Sequence, residues 1–163
     1  MYNKKVMEYF QRLHQKALSL SAQFRRCEAE LIEVLQKMHT SKSFKKLGYA
    51  SLFEYATQAL KLSEANSYNL ICVARKALDV PELKKEIRSG SITVSKARRM
   101  TSVLNPENKK TWLQKAKTST QRELEKEVAK EKPEEAVREQ ARFVAESRLK
   151  LNLGISEELL LKL

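Results

Sequence analysis

Glycine, proline, cysteine and histidine are all scarce in this chain of 163 residues, which has three glycines, three prolines, two cysteines and two histidines. Turn-dense β folds use many glycines and prolines, so their scarcity favours an all-α protein. Three isolated glycines cannot form a glycine-rich phosphate-binding loop. Two cysteines and two histidines cannot supply the closely spaced ligands of a usual structural zinc site. These absences exclude the common nucleotide-binding loops and the zinc fingers.

Long apolar runs are also missing. No segment approaches the roughly 18 apolar residues of a membrane span, and Glu8, Arg12 and Lys16 interrupt the only stretch that could resemble a signal peptide. Cys27 and Cys72 are interpreted as unpaired thiols that act as small core residues in a reducing compartment. The sequence therefore predicts a cytoplasmic protein with no membrane partner.

Positive charge is in excess, with 32 Lys and Arg against 20 Asp and Glu, a formal net charge of +12. The whole excess lies before Pro133, since residues 133–163 carry five basic and six acidic side chains. Release of counterions from bound phosphates is the interpretation we favour for such an excess, and a merely solvated surface is the alternative.

Apolar residues at helical spacing predict a series of helices before Pro133. Ser51 to Glu54 and Thr120 to Glu123 have the pattern of capping boxes, and Ser63 is a third helix start. Gly90 is a helix stop. The predicted helices are 3–18, 21–38, 51–60, 64–78, 81–89 and 120–130, with a short helical turn at Phe44 and Leu47. Another helix begins at Thr93 or Ser95 and ends at 104. A further helix follows Asn105 and contains Trp112, which we expect in the core.

The segment after Lys132 is predicted to be different in kind. We expect a linker helix from Pro133 to about Glu146, a single strand over 148–155 and the start of a helix at Ser156. A single strand has no partner within the chain, so this pattern predicts a partner chain or further sequence downstream. The expected organisation is a basic helical domain over 1–132 and a segment over 133–163 leading toward a downstream module.

Residues 51–78 have the layout of a helix-turn-helix unit, in which the second helix enters the major groove. The turn lacks the usual glycine, and an ordinary helical hairpin is the alternative. In the first interpretation the exposed early residues of the second helix face bases, and two basic residues follow: Glu64, Asn66, Ser67, Asn69, Arg75 and Lys76.

Several motifs resemble, in order, the helical N-terminal region of bacterial HNH endonuclease family proteins. The most specific is Leu-Gly-Tyr-Ala-Ser-Leu-Phe-Glu-Tyr-Ala over residues 47–56. The supporting segments are residues 25–32, 62–64, 81–83, 89–97, 104–108 and 149–163. The resemblance implies association with DNA. It does not imply nuclease activity, because the HNH motif of that family lies downstream of this region and does not occur within these 163 residues.

No catalytic residue, metal ligand, cofactor or small-molecule substrate is predicted. His14 and His39 match no position of the HNH motif and are expected at the surface. The sequence leaves open whether the chain is part of a longer protein or a natural stand-alone version of the helical region.

Two groups of cations are the candidate phosphate contacts. One follows a predicted helix start, where free backbone amides also favour an anion. The other lies in the irregular stretch after the second predicted helix. These residues are Lys96, Arg98 and Arg99 in the first group and Lys42, Lys45 and Lys46 in the second.

The leading hypothesis is therefore a non-catalytic, all-α bundle that binds duplex DNA through phosphate contacts and a helix-turn-helix-like unit, with one short C-terminal strand. The alternative is a protein-interaction scaffold, homodimeric through its first two helices, in which charge serves only solubility. A metal-dependent nuclease is a weaker third hypothesis.

Overall fold

The computed structural model describes residues 4–133, 140–155, 159, 161 and 162, and the all-α prediction is confirmed for the body of the chain. The helices are α1 (Lys4–Ser41), α2 (Ser43–Lys46), α3 (Leu52–Glu54) continued by a π-helical turn (Tyr55–Ala59), α4 (Glu64–Asp79), α5 (Glu82–Ser89), α6 (Val94–Met100), α7 (Lys109–Thr118) and α8 (Gln121–Glu131); the strands are β1 (Gln140–Ala145) and β2 (Arg148–Asn152).

Helix α1 is continuous over 38 residues, about 57 Å at 1.5 Å per residue, so the prediction of two helices separated near Ser21 is wrong. Ser21 lies within the helix, and its Oγ accepts a hydrogen bond of 2.7 Å from Arg25 Nη1 one turn later. The hydroxyl thus bonds along the helix surface instead of capping a backbone amide. Neither glycine nor proline occurs between residues 3 and 41 to interrupt the backbone.

The predicted helix starts are confirmed by their hydrogen bonds. Ser63 Oγ accepts from the amide of Asn66 at 3.3 Å, and Thr93 caps α6 in the same way. Thr120 and Glu123 form the complete capping box, whose hydrogen bonds from Thr120 lower the pKa of the Glu123 carboxyl. At Ser51 only half the box forms, because the Glu54 carboxylate accepts from the amide of Ala50.

The core lies between the C-terminal half of α1 and helices α4, α5 and α6, with α7 and α8 closing it. Ala29, Ile32 and Leu35 are the buried apolar residues of α1. Trp112 of α7 is buried, as predicted, and so is Leu124 of α8.

Some apolar residues that were expected to pack are exposed instead. Leu47, Ala59, Ala65 and Leu78 all lie at the surface. The first part of α1 behaves in the same way, since every side chain from Met7 to Ser21 is exposed.

The end of the chain forms an antiparallel hairpin, so the helix predicted up to Glu146 is wrong over 140–145. Strand β1 pairs with β2, Ala141 opposite Leu151 and Phe143 opposite Leu149, with a register shift before Ala145. Short apolar patterns do not distinguish a strand from a helix, and here cross-strand pairing decided the outcome. The observed strand covers only 148–152 of the predicted 148–155, and the prediction that it has no partner within the chain is wrong. The predicted segment 134–139 and the helix start at 156–158 lie outside the described residues.

Candidate nucleic-acid interface

Three lysines are exposed on one face where α1 ends and α2 begins. Lys42 adopts a left-handed conformation (φ 54°) between the two helices and turns the chain. Phe44 is buried and fixes α2 against the body, which leaves Lys45 and Lys46 at the surface. Lys42, Lys45 and Lys46 are therefore three exposed cations within five residues at this turn of the chain.

Arg75 of α4 approaches this group from the neighbouring helix. His39, in the last turn of α1, has its pKa lowered first by burial and then by the positive charges of Arg75 and Lys42. Leu78, one turn after Arg75 on α4, lines a cleft with Thr40 and Ser41, so this part of α4 lies beside the end of α1. We call Lys42, Lys45, Lys46 and Arg75 the basic patch.

The basic patch is electrically uncompensated within the part of the chain that the structure describes. None of its four cations forms an ion pair or a side-chain hydrogen bond there, and all four are exposed. Like charges at this proximity repel one another, and a bound phosphate would relieve that repulsion.

The N-terminal end of α4 only partly matches the predicted base-facing surface. Glu64 and Asn66 are exposed and Asn69 is half-buried. Ser67 is fully buried, with 0% of its surface accessible, so its prediction as an exposed residue is wrong. Ser67 shares the core-facing side of α4 with Leu70, because α4 packs against both α1 and α6.

The exposed face of α4 also includes an aromatic residue. Tyr68 is 45% exposed and lies seven residues, two helical turns, before Arg75. Arg98 of α6 stacks on its ring, with the guanidinium carbon 4.7 Å from the ring centroid, and Nη2 donates to the hydroxyl at 2.8 Å. The spacing from Tyr68 to Arg75 places both on one face, but the contact with Arg98 follows only from the packing of α6 on α4.

Lys96 has a structural role and not an exposed, phosphate-facing one. Its Nζ donates to the backbone oxygens of Ala116 at 2.9 Å and of Ser119 at 2.5 Å. These carbonyls belong to the C-terminal end of α7, where a positive charge is favourable. The ammonium group therefore joins α6 to the end of α7.

Arg98, Arg99 and Lys76 also bind within the protein. Arg98 donates to Thr101 as well as Tyr68, Arg99 pairs with Glu125 at 2.9 Å, and Lys76 pairs with Asp79 at 3.5 Å. Arg98 and Arg99 line a cleft of about 300 Å³ with Tyr68 and Asn69. Exposed ion pairs contribute about 0–1 kcal/mol, so Arg99 could exchange Glu125 for another anion at little cost.

Neither cysteine is disulfide-bonded: Cys27 is exposed and Cys72 half-buried, so their interpretation as core residues is wrong for Cys27. Within the described residues, no group of three or more His, Cys, Asp and Glu side chains could hold a metal ion. No helix in that same part of the chain combines the length and the apolar character needed to cross a membrane.

Comparison with known proteins gives no relative: no family model, no curated protein and no solved structure matches this chain.

Proposed function

We propose that this protein is a DNA-binding module that holds duplex DNA by its phosphates through the basic patch. The observation that carries the proposal is a group of four uncompensated cations where α4 lies beside the end of α1: Lys42 between α1 and α2, Lys45 and Lys46 in α2, and Arg75 in α4. Most other candidate cations are already satisfied by carboxylates or carbonyls. Phosphate contacts supply most of the affinity in such interfaces and carry no sequence information.

Any base readout in this proposal falls to the exposed N-terminal end of α4. Glu64 and Asn66 are available there, whereas Ser67 is not. An exposed asparagine can bond the edge of adenine and a glutamate can accept from cytosine. Arg75 lies farther along the same helix. There it would contact phosphates at the side of the groove that the N-terminal end of α4 enters.

The proposal includes no catalysis. The motifs over residues 25–163 support a role as the targeting region of an HNH-endonuclease-like protein, and that part of the proposal rests on the sequence alone. A plasmid assay with Mg²⁺ or Mn²⁺ tests it: nicking by this chain would contradict a non-catalytic role.

A salt titration tests the binding itself. The logarithm of the association constant for duplex DNA should fall linearly with the logarithm of salt concentration, by about 0.9 for each phosphate contacted. The variant Lys42→Gln/Lys45→Gln/Lys46→Gln should reduce the magnitude of that slope by about 2 to 3. The effect should be the same for unrelated duplexes.

The matched control removes the same charge from scattered exposed lysines. Lys85→Gln/Lys110→Gln/Lys126→Gln changes the net charge equally but leaves the basic patch intact, and its slope should change by less than about one. Equal losses from both triple variants would contradict a localised interface. Tighter binding to a single strand than to the duplex of the same sequence would contradict the duplex assignment.

A second candidate function, a protein-interaction scaffold, is favoured by one specific observation. The first part of α1 exposes large apolar side chains, including Phe10, Leu13 and Leu20. In this alternative the wild-type chain associates with protein and shows no salt-dependent affinity for DNA.

A further inference from the structure

The N-terminal arm, which we define as residues 6–24 of α1, precedes the point where this helix joins the body. Contact with the body begins where Phe24 borders a cleft with Asn66 and Val94 and where the Arg25 side chain lies against Gly90 at the end of α5. Buried residues of α1 begin only at Ala29. The arm nevertheless carries seven exposed large apolar side chains: Met7, Tyr9, Phe10, Leu13, Leu18, Leu20 and Phe24.

The apolar residues of α1 follow a heptad repeat, with alternate steps of three and four residues. Within the arm this repeat is represented by Val6, Phe10, Leu13, Ala17, Leu20 and Phe24, and it continues through Cys27, Leu31, Val34 and Met38. A sustained spacing of this kind is the signature of a coiled-coil seam, in which these positions pack into a facing helix. We call the six arm residues the seam.

The positions of this repeat have different surroundings along α1. In the C-terminal half, Leu31 and Met38 pack against the core beside Ile32 and Leu35. In the arm, by contrast, Phe24 is 64% exposed, and Leu13 and Leu20 are about half exposed. Within the described part of the chain, the repeat is therefore packed only beside the body.

The apolar surface of the arm is large enough to matter for association. A completely covered aromatic side chain buries about 150–250 Å², so seven half-exposed large side chains present on the order of 500 Å². Patches beyond a few hundred Å² mark interaction sites, and a stable interface covers about 800 Å² per partner. A helix laid along the arm would also cover the flanking side chains.

We propose that the seam binds the seam of a second copy of this chain, in the antiparallel orientation. The reason is the unequal sizes of the seam residues, in which Phe is second and last and Ala17 is the smallest. With Leu13 of one copy opposite Ala17 of the other, every layer combines a larger with a smaller residue. The layers are then Val6 with Phe24, Phe10 with Leu20, and Leu13 with Ala17.

A parallel pair would match each residue with itself. Phe10 and Phe24 would then form overfilled layers, and Ala17 would leave a void between them. Close packing disfavours both, because overfilled layers force strain and voids lose contacts. The antiparallel pair also places the two bodies, with their basic patches, at opposite ends of the paired helices.

The first test is the oligomeric state of seam variants. The wild-type chain should sediment as a concentration-dependent dimer, and Leu13→Lys/Leu20→Lys should raise the dimer dissociation constant by at least about a hundredfold. Leu18→Lys is the control, because Leu18 is 50% exposed, like Leu13 at 47% and Leu20 at 54%, but lies off the seam. Its dissociation constant should change by less than about threefold.

Three outcomes would overturn the proposal: a wild-type monomer at submillimolar concentration, a dimer that Leu13→Lys/Leu20→Lys leaves intact, or equal weakening by Leu18→Lys. The test needs no nucleic acid, so its failure is distinguishable from failure of DNA binding. Circular dichroism on each variant verifies that the helical body is unchanged.

Cysteine cross-linking tests the orientation, in a Cys27→Ser/Cys72→Ser background with oxidised glutathione as the oxidant. A mixture of the Phe10→Cys and Leu20→Cys proteins should form an interchain disulfide, and neither protein should do so alone. Efficient cross-linking of the Phe10→Cys protein with itself would indicate a parallel pair, and no cross-link in the mixture would contradict the register. Either result overturns the antiparallel arrangement.

Discussion

The N-terminal arm and the C-terminal half of α1 carry the same spacing of apolar residues, yet only the second is packed. Ile32 and Leu35 are fully buried against other helices, whereas Leu13 and Leu20 are about half exposed. The difference teaches that amphipathic spacing determines whether a helix forms. Whether its apolar face is buried depends on which other helices pack against that face. Among the described residues, Leu13 and Leu20 stay half exposed, whereas α4 and α5 cover the C-terminal half of the same helix.

The cations likewise fall into two groups, those that bind within the protein and those that do not. Lys96 and Lys45 both follow the start of a helix, but Lys96 bonds two carbonyl oxygens at the end of α7 and Lys45 has no ion pair among the described residues. The first stabilises the body, and the second is available to a ligand. Three pairs of substitutions sharpen these comparisons.

The largest expected effect comes from shortening one apolar side chain in each half of α1. Ile32→Ala should lower the free energy of unfolding by about 2–5 kcal/mol, because it leaves a cavity in a packed core. Leu18→Ala, in the arm and off the seam, should change it by less than about 0.5 kcal/mol. Urea denaturation followed by circular dichroism measures both. Similar losses from the two variants would mean that the arm is packed like the body.

The second expected effect concerns the two lysines. Lys96→Met keeps most of the side-chain volume but removes the charged donor from the end of α7, so the free energy of unfolding should fall by about 1.5–3 kcal/mol. Lys45→Met should leave stability within about 0.5 kcal/mol and instead weaken DNA binding. Urea denaturation measures the stability of both variants, and the salt titration measures the DNA binding of Lys45→Met. An unchanged stability of Lys96→Met would show that its two hydrogen bonds are not needed.

The smallest expected effect is a pH dependence at the basic patch. Burial and the charges of Arg75 and Lys42 hold the pKa of His39 below its ordinary value near 6.5. The unfolded chain therefore binds the proton more readily, and stability should fall as pH drops through about 6.5. His39→Gln should flatten this dependence between pH 7.5 and 5.5, conditions chosen to bracket roughly that ordinary pKa.

His14→Gln, in the exposed arm, is the control for that experiment. It removes a histidine that lies away from the basic patch, so the pH dependence should persist. A flattening by His14→Gln equal to that by His39→Gln would contradict the electrostatic explanation. DNA binding extends the test, because a phosphate bound at the basic patch favours the protonated imidazole, and binding should therefore strengthen as the pH falls.

Features that depend on a few neighbouring residues could be predicted from the sequence. The caps at Ser63, Thr93 and Thr120 and the left-handed stop at Gly90 need only the local backbone and one side chain. Burial of Trp112 was also predictable, because a single large aromatic residue within an amphipathic helix usually packs.

Features that depend on distant elements could not be predicted in this way. The burial of Ser67 requires that α4 be covered on two sides, and the bonds of Lys96 require the end of α7 beside the start of α6. The strand over 140–145 needs β2 as its partner, since its short apolar pattern fits a helix equally well. The uncompensated state of the basic patch is likewise a result of which carboxylates lie nearby.

The sequence by itself determined the helical class, most helix starts and stops, and the concentration of positive charge before Pro133. These follow from backbone conformational preferences and from side-chain chemistry within a few residues. Only the tertiary structure decided which cations bind within the protein and which face outward, and which apolar face of α1 enters the core. The physical reason is that hydrogen bonding and burial depend on distances between elements, and those distances are fixed by packing.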